Sequence, residues 1–459
     1  MKYDLVVIGS GPGGYTAAIK ASQLGMKTAI VECAEIGGVC LNRGCISTKT
    51  LLKYAQVFDT MTHCYDYGIC AGDMYLDAEK IVGRSRAVTA TMRKGIDFLL
   101  KKNKIEVIHG FGTITSPNTV AVSGEEQREI SASHIIIATG ARPKDNPSFP
   151  IDEQNVWSYK KGLFPEYILK TVLIAGSGAT GVELAMFYKG LNAEVTIVET
   201  LPAIVPREEP EISEQLRRSL QKAGIRVLTN SRINSVKVDD YCFAEVSTPQ
   251  GSETIKCDQV LSVTGVVANI ENIGLETVGV EVENGKIKTD PYYRTNVPGI
   301  YAIGDVIDTP ALAHVASAEA ITCVEKIAGL EPDALDYGVI PTCIYTTPEI
   351  ASVGLSEKAA KEAGYSLRIG KFPFTASGKA AAMGNKDGFV KLIFDQKTDK
   401  LLGSHLIGPN VTEVISELAL VQKMGITGKQ LMKTVHPHPT ISEAIVEAAA
   451  AAHNEAIHL

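Results

Sequence analysis

The sequence predicts an α/β protein in which one structural unit occurs twice and is followed by an α+β segment that lacks it. Each unit has a strand, a glycine-rich turn, a helix and a second strand that ends in an acidic residue. The turns are Gly9-Ser10-Gly11-Pro12-Gly13-Gly14 and Gly176-Ser177-Gly178-Ala179-Thr180-Gly181. Between a strand and a helix, this G-x-G-x-x-G pattern indicates a Rossmann-like dinucleotide-binding domain.

The first unit starts with the apolar run Leu5 to Ile8, and its helix is predicted over Tyr15 to Leu24. The second strand, Lys27 to Val31, leads to Glu32. Glycines let the backbone approach a pyrophosphate, and the unpaired N–H groups of the helix N-terminus bind it. The acid accepts hydrogen bonds from ribose hydroxyls. We therefore expect a dinucleotide site at Gly9, Gly11, Gly14 and Glu32.

The second unit repeats this arrangement with the strands Val172 to Ala175 and Glu194 to Val198, and it ends at Glu199. The first glycine and the acid are separated by the same number of positions in both units. A carboxylate there repels a 2′-phosphate, and no arginine follows until Arg207. The sequence therefore predicts an NAD site rather than an NADP site at Gly176, Gly178, Gly181 and Glu199.

The order of the remaining segments predicts the domain boundaries. A long helix (Tyr75 to Lys101) and several strands separate the two units, and the strand that ends in Gly304-Asp305 follows the second unit. We predict that residues 1–143 and 271–338 form the first dinucleotide-binding domain and that residues 144–270 form the second. Residues 339–459 form an α+β domain with strands at 366–372, 388–394 and 401–407 and helices from Val411 to Met424 and from Thr440 to the C-terminus.

The apolar face of the helix after Val411 leaves two interpretations open. It suits an oligomer interface, and it equally suits packing on the sheet of its own domain. The face consists of Val414, Ile415, Leu418 and Val421.

Composition excludes some classes of partner. The 459 residues carry a formal net charge of −7, which argues against nucleic acid or an anionic membrane as the main partner. No apolar run is long enough for a membrane span. The first residues run directly into a strand, so we expect no targeting segment and a cytoplasmic protein. In that reducing compartment the nine cysteines should be mostly free thiols, and those outside the pair described next should be small buried apolar residues, each on its own.

Cys40 and Cys45 form a close pair among glycines, in a segment that then turns helical. Lys49 follows one helical turn after Cys45, and Arg43 lies between the two cysteines. A nearby cation and a helix N-terminus both favour the thiolate, which is the form that attacks a disulfide. The spacing predicts a disulfide that is made and broken during turnover.

A second cluster of polar residues is His436-Pro437-His438-Pro439-Thr440-Ile441-Ser442-Glu443. The prolines would fix the loop, and a histidine suits proton transfer because its pKa lies near working pH. Two other interpretations stay open. Thr440-x-x-Glu443 also fits a helix capping box. The two histidines could form half a metal site, but no further ligands are spaced to complete it, so we expect no metal.

Together these motifs resemble the class I pyridine nucleotide-disulfide oxidoreductases. The G-G-x-C-x4-C segment, the second G-x-G-x-x-G-x-E, the Tyr-Ala-Ile-Gly-Asp strand and the terminal His-x-His-Pro-Thr-x-Ser-Glu occur in the order of that family along the whole chain. Within it, they are most similar to the branch that oxidises dihydrolipoamide with NAD.

The resemblance implies two cofactors. FAD would be bound by the first fold and NAD by the second, where Gly265 would join the four residues named above. The further FAD contacts would be Lys49, Gly112, Gly140, Asp305 at the ribityl chain and Ala313 beside the flavin.

The resemblance also implies catalytic roles. Cys40 would meet the substrate and Cys45 the flavin, and Lys49 would pair with Glu183. His438 would be the general base, oriented by Glu443, with a cis peptide bond before Pro439. The C-terminal domain would form a homodimer in which each active site uses both chains. The partners would be lipoyl domains of 2-oxo acid dehydrogenase or glycine cleavage complexes.

Three departures from the family pattern affect these expectations. Ser47 stands where a proline is common, which would loosen the helix start. No arginine follows Gly265, and no aromatic residue precedes Gly181. The nearest alternative function is a glutathione-type disulfide reductase, which would use NADP. Alternatives from another class are a flavin-dependent transhydrogenase or a homologue without chemistry, and both would leave the cysteine pair without a role.

Overall fold

The computed structural model describes residues 2–124 and 127–459. The chain divides into two compact units. The first comprises Met1–Leu51, Asp77–Lys144 and Gly265–Leu335, and the second comprises Leu52–Leu76, Asp145–Thr264 and Asp336–Leu459. The four predicted domain ranges stay a prediction. No described helix has both the length and the apolar character that crossing a bilayer requires.

The helices of the described residues follow in chain order. They are α1 (Pro12–Gln23), α2 (Gly38–Arg43), α3 (Cys45–Thr62), α4 (Ala78–Lys102), α5 (Tyr159–Gly162), α6 (Ala179–Gly190), α7 (Pro210–Lys222), α8 (Leu275–Val278), α9 (Ala313–Ile327), α10 (Glu357–Glu362), α11 (Gly378–Ala382), α12 (Val411–Lys423), α13 (Gly428–Met432) and α14 (Glu443–Ala452).

The strands of the same residues are β1 (Lys2–Ile8), β2 (Thr28–Glu32), β3 (Glu106–His109), β4 (Phe111–Ser116), β5 (Thr119–Ser123), β6 (Arg128–Ile137), β7 (Ala141–Pro143), β8 (Val156–Ser158), β9 (Thr171–Ala175), β10 (Glu194–Val198), β11 (Arg226–Leu228), β12 (Arg232–Val238), β13 (Cys242–Thr248), β14 (Gly251–Cys257), β15 (Gln259–Ser262), β16 (Val266–Ala268), β17 (Val282–Glu283), β18 (Lys286–Ile287), β19 (Ile300–Ala302), β20 (Thr342–Ile344), β21 (Glu349–Gly354), β22 (Leu367–Pro373), β23 (Phe389–Asp395) and β24 (Leu401–Gly408).

The first unit is built on a sheet with the strand order β3-β2-β1-β6-β5-β4, and β19 also pairs with β6. The strands β1, β2, β3, β6 and β19 run parallel, and β4 to β6 pair antiparallel. The apolar run of β1 is fully buried because helices cover a parallel sheet. Helix α1 packs on α9, where a Cβ on Gly13 would lie 3.2 Å from Ala316 O. The glycine therefore permits this close helix contact.

The second unit contains the repeat of that arrangement and the C-terminal sheet. The order β11-β10-β9-β15-β8 is parallel, and β12-β13-β14 form an antiparallel sheet. The C-terminal sheet has the antiparallel order β20-β21-β24-β23-β22. Ile415, Leu418 and Val421 of α12 are buried in the core of this region. The interpretation that the α12 face packs within its own domain is therefore confirmed for these three residues.

The predicted extent of the last helix was wrong at both ends. Helix α14 begins at Glu443, with Ser442 as its N-cap residue, rather than at Thr440. The Thr440 hydroxyl donates to Pro437 O at 2.7 Å, which holds the preceding residues in a turn. At the other end, Asn454 has a φ of +60°, a left-handed conformation that ends a helix.

A buried ion cluster lies within the second unit. The Lys391 ammonium, whose side chain is 2% exposed, donates to Glu209 Oε1 at 2.8 Å, Glu211 Oε1 at 2.7 Å and Glu357 Oε2 at 2.7 Å. These three carboxylates are close enough together to bind a metal ion. The ammonium group already lies among them, so the arrangement is an ion-pair cluster.

Candidate active site

The first glycine turn has the geometry of a dinucleotide cradle. Gly9 has a φ of +101°, and a Cβ there would lie 2.3 Å from Ala138 O. A Cβ on Gly14 would lie 2.0 Å from Gly9 O, so only glycine lets α1 pack this closely on the turn. A Cβ on Gly11, in contrast, would meet nothing within 4 Å. The middle glycine therefore faces open space at the start of α1.

The second turn has the same geometry. Gly176 has a φ of +107°, and a Cβ there would lie 2.7 Å from Val263 O. A Cβ on Gly181 would lie 2.2 Å from Gly176 O, and a Cβ on Gly178 would again meet nothing within 4 Å. The backbone of Gly178, with φ −64° and ψ −179°, closely matches that of Gly11, with φ −62° and ψ −177°. No side chain caps either helix, so the first-turn N–H groups can bind a pyrophosphate.

Each acid is oriented by the glycine turn of its own unit. The N–H and the hydroxyl of Ser10 donate to Glu32 Oε2 at 2.8 and 2.6 Å. Those of Ser177 donate to Glu199 Oε2 at 3.0 and 2.6 Å. Sequence reasoning missed both serines, although a serine after the first glycine is common to the two turns. The cradles, the free helix ends and the oriented carboxylates fit two dinucleotides.

The other residues expected at FAD have varied surroundings. Gly140 has a φ of +69° and faces open space, and Ala313 is the first residue of α9. A Cβ on Gly112 would lie 3.1 Å from a Val31 methyl, so packing within the sheet already accounts for that glycine. Burial raises the pKa of Asp305, and Lys286 opposes the effect in part. A partly buried carboxylate of this kind suits a ligand rich in hydroxyl groups.

Strand β7, which directly follows Gly140, contains a polar group that sequence reasoning did not identify. The Arg142 guanidinium binds the Glu271 carboxylate at 2.8 and 2.7 Å. It also donates to Ala268 O at 3.1 Å, and the Asn269 N–H donates to Gly140 O at 2.9 Å. These bonds fix Gly140 in the first unit. Gly265 begins the last segment of that unit, and its predicted contact with NAD stays a prediction.

The two cysteines lie on either side of a break between helices. Cys40 is in α2, Cys45 is the first residue of α3, and both are free thiols. A Cβ on Gly44 would lie 3.3 Å from the Cα of Cys40, which shows how tightly the chain turns between them. A hydrogen bond with Cys45, and then burial, raises the pKa of the Cys40 thiol, whereas Lys49 acts in the opposite direction. The protonation of Cys40 therefore depends on its contact with Cys45.

Polar side chains hold this turn in place. The Asn42 amide donates to Ile36 O at 3.0 Å and to Gly38 O at 2.9 Å. The hydroxyl of buried Ser47 donates to Asn42 O at 3.1 Å. The expected loosening of the helix start by Ser47 finds no support here, because the serine makes a bond that a proline could not make. The guanidinium of exposed Arg43 lies 3.4 Å from the Glu35 carboxylate, which partly neutralises its positive charge.

Tyr15 is a residue near the thiols that sequence reasoning missed. Burial, and then negative charge at Cys40, raises the pKa of its hydroxyl. The sequence offers no signal for this proximity, because its pattern predicts only that Tyr15 belongs to the helix α1.

Lys49 and Glu183 lie in different units. Lys49 is half-buried on α3. Glu183 is 4% exposed on α6, and its Oε1 accepts the Tyr345 N–H at 2.9 Å. The predicted ion pair between the two side chains stays a prediction, as does the proximity of Lys49 to a flavin.

His438 and Glu443 are brought together as a pair. His438 Nδ1 lies 2.8 Å from Glu443 Oε1, and the Thr440 N–H donates to Glu443 Oε2 at 2.7 Å. The peptide bond between His438 and Pro439 is cis, as predicted. The His438 side chain is 79% exposed, and its Nε2 makes no hydrogen bond with the described residues. Burial acts to raise the pKa of Glu443, but the bonds from Thr440 and His438 outweigh it and the pKa is lowered.

The contacts of this cluster bear on its two alternative interpretations, a helix cap and half a metal site. Ser442, not Thr440, is the N-cap residue, yet Glu443 still accepts the Thr440 N–H, so it has a structural task as well as a bond to His438. His436 uses both ring nitrogens, with Nε2 2.6 Å from Glu417 Oε1 and Nδ1 2.9 Å from Thr434 O. That leaves His436 no nitrogen for a metal shared with His438.

The parallel sheets, the paired cradles and the dithiol define a disulfide oxidoreductase with two dinucleotide sites. The chain belongs to the pyridine nucleotide-disulphide oxidoreductase family: residues 3–320 match the sequence profile of that family, and residues 340–449 match its dimerisation domain. FAD and NAD are the cofactors of the family. The family and the fold class predicted from the sequence are thereby confirmed.

Relatives named dihydrolipoyl dehydrogenase match the chain over nearly its full length. The enzyme of Rhizobium etli is 45% identical, with 97% of each chain covered. That of Zymomonas mobilis is 43% identical, with 99% of each covered. Among solved structures, LpdA from Mycobacterium tuberculosis has a TM-score of 0.89 at 25% identity, with 97% of this chain and 98% of that chain covered. The flavoprotein disulfide reductase RclA from Escherichia coli shares the fold, with a TM-score of 0.87 at 24% identity over 98% of this chain and 99% of its own.

Proposed function

We propose that this chain is a dihydrolipoyl dehydrogenase, which oxidises protein-bound dihydrolipoamide to lipoamide with NAD as the final acceptor. The observation that carries the choice is the environment of Glu199. Its carboxylate accepts bonds from Ser177 and from the Leu201 N–H at 2.9 Å, at the position where an NADP-dependent enzyme needs a cation for the 2′-phosphate. The names of the full-length relatives support the same substrate.

The chain's own residues supply the thiol chemistry. His438, oriented by Glu443, takes a proton from one thiol of the dihydrolipoyl group, and the thiolate attacks Cys40 of the oxidised pair. The Cys40–Cys45 bond breaks, and Cys45 leaves as a thiolate. The second lipoyl sulfur, after loss of its proton, then attacks the first. The lipoyl disulfide closes and Cys40 is released.

The electron pair must leave the reduced cysteines before another turnover. FAD, when bound, provides the path from the dithiol to NAD. The residues that would bind its ADP half are Gly9, Gly11, Gly14 and Glu32, while the second cradle with Glu199 would bind NAD. The protein's contribution is placement and control of thiol ionisation.

We also propose that His438 serves the cysteines of a partner chain in a homodimer. The match of residues 340–449 to a dimerisation domain and the exposure of His438 in the single chain support this assignment. A cytoplasmic location is proposed because the free thiols suit a reducing compartment. The proposed protein partners are lipoyl domains of 2-oxo acid dehydrogenase or glycine cleavage complexes.

A steady-state comparison tests the function. The purified flavoprotein is assayed with dihydrolipoamide and NAD, and then with glutathione disulfide and NADPH. We expect rapid turnover only with the first pair. Rapid turnover only with the second pair would establish the glutathione-type alternative, and no turnover with either would favour a homologue without this chemistry.

A further inference from the structure

Two cysteines outside the proposed active site are paired in space. Cys242 is the first residue of β13 and Cys257 the last residue of β14, and they lie directly opposite each other in the antiparallel register. The expectation that each of the remaining cysteines stands alone was therefore wrong for these two, although both are buried as expected. The expectation of burial was wrong for Cys33 and Cys70, which are exposed. The sequence did not reveal the pair because the register depends on the turn at Pro249 and Gln250.

The backbone geometry suits a disulfide. Opposed residues of an antiparallel pair have Cα atoms about 4.5–5.5 Å apart and side chains on the same face. Disulfides are found at Cα separations of roughly 4.4–6.8 Å. Cys242 Sγ donates to Asn155 O at 3.6 Å and to Asp258 O at 3.8 Å, which holds it beside the residue that follows Cys257.

We propose that Cys242 and Cys257 are a second redox-convertible dithiol, which a hydroperoxide oxidises to an intrachain disulfide. One thiolate of the pair attacks the O–O bond, takes one oxygen as a sulfenic acid and releases water or an alcohol. The other sulfur then attacks the sulfenic sulfur, the S–S bond forms and a water molecule leaves. The two thiols lose two electrons in total, and the hydroperoxide gains them.

The pKa values of the two thiols depend on each other. The contact with the Cys257 side chain lowers the pKa of Cys242, although burial opposes the effect. The same contact, and then burial, raises the pKa of Cys257. The pair therefore favours one thiolate beside one thiol, and the thiolate reacts with the oxidant while the thiol resolves the sulfenic acid.

Access to the oxidant depends on local opening of the hairpin. Cys242 is 1% exposed and Cys257 is 2% exposed. They form the last pair of the β13–β14 register, Cys242 also pairs with Val238 of β12, and Tyr241 in the turn between β12 and β13 is exposed. The end of this three-stranded sheet opens at lower cost than the whole domain unfolds. We therefore expect oxidation slower than that of exposed Cys45.

The positions of the lysines make the cross-link simple to detect. Trypsin cleaves after Lys237, Lys256 and Lys286, so the two cysteines fall in separate peptides, 238–256 and 257–286, each with one cysteine. The full-length flavoprotein is treated with hydrogen peroxide, the remaining thiols are alkylated in denaturant, and the digest is analysed by mass spectrometry without a reductant. We expect the two peptides to appear joined, with two hydrogens lost, and to separate after dithiothreitol is added.

Internal controls distinguish this result from general oxidation. Cys323, a fully buried thiol on α9, should stay available for alkylation, and the peptides of Cys40 and Cys45 report oxidation of the active-site pair separately. In Cys257→Ala, peptide 238–256 should gain oxygen at Cys242 and form no cross-link to 257–286. Full alkylation of Cys242 and Cys257 in the wild-type protein, after treatment prolonged until buried Cys323 itself begins to be oxidised, would overturn the proposal. Oxidation of wild-type Cys242 to a sulfinic or sulfonic acid without the cross-link would overturn it equally.

Discussion

Glu443 shows how one side chain combines a structural and a catalytic task. Its Oε2 accepts the Thr440 N–H, and its Oε1 is bonded to His438 Nδ1. The first bond fixes the carboxylate, and the second fixes the ring so that Nε2 is the nitrogen left for the substrate. A carboxylate in this position also stabilises the imidazolium that forms when the base takes a proton.

Replacing Glu443 by glutamine tests the charge while keeping much of the shape. The amide oxygen of Glu443→Gln can still accept a bond, but it cannot stabilise a positive histidine. We expect kcat with dihydrolipoamide to fall by about 10²-fold, within the range known for positioned acid–base groups. The measurement is the steady-state kcat and KM with dihydrolipoamide and NAD.

The matched control is a second histidine–carboxylate pair nearby. Glu417→Gln removes the partner of buried His436, for which no step in turnover is proposed. We expect this variant to lose stability but to keep its kcat. Equal losses of kcat in the two variants would contradict the specific role of Glu443.

At the scale of elements, different glycines of each turn serve packing and nucleotide binding. A Cβ on Gly181 would lie 2.2 Å from Gly176 O, whereas a Cβ on Gly178 meets only open space. Gly181→Ala must therefore push α6 from the turn, at a cost of about 1–3 kcal/mol. Gly178→Ala should fold normally and place a methyl group where the pyrophosphate would lie.

These two variants have different expected signatures. For Gly178→Ala we expect KM for NAD to rise about tenfold, equivalent to ~1.4 kcal/mol of binding, with an unchanged thermal midpoint. For Gly181→Ala we expect a lower thermal midpoint. Flavin absorbance checks in both variants that the first site is intact. An unchanged KM in Gly178→Ala would argue against nucleotide binding at this cradle.

Local patterns explain which elements could be predicted. Strand β10 was predicted at its observed bounds, Glu194–Val198, because a glycine turn, a helix and an apolar run specify the unit within a short stretch of chain. The start of α14 could not be predicted, because the bonds of Thr440 compete with helix formation and depend on the loop before it. The facing cysteines of β13 and β14 were hidden for a similar reason, since register is a property of two strands.

At the scale of the whole molecule, the chain is organised around separated segments. The first unit brings together three stretches of sequence that lie far apart. Cys40 and Cys45 lie in the first unit, and His438 and Glu443 lie in the second. The proposed reaction needs both sets of residues at one lipoyl group. The question of which chain supplies each set therefore belongs to the assembled protein.

Mixed dimers answer that question. In a dimer of one Cys45→Ser chain and one His438→Ala chain, shared sites would give one defective centre with both changes and one centre with neither. We expect about half the activity of a wild-type dimer, because one of two equivalent sites is restored. If each site were built from a single chain, both centres would carry one change.

The chains are refolded together with different affinity tags, and the dimers that carry both tags are isolated and assayed. The two parent homodimers serve as controls and should be nearly inactive, and persistent inactivity of the isolated mixed dimers would contradict a shared site.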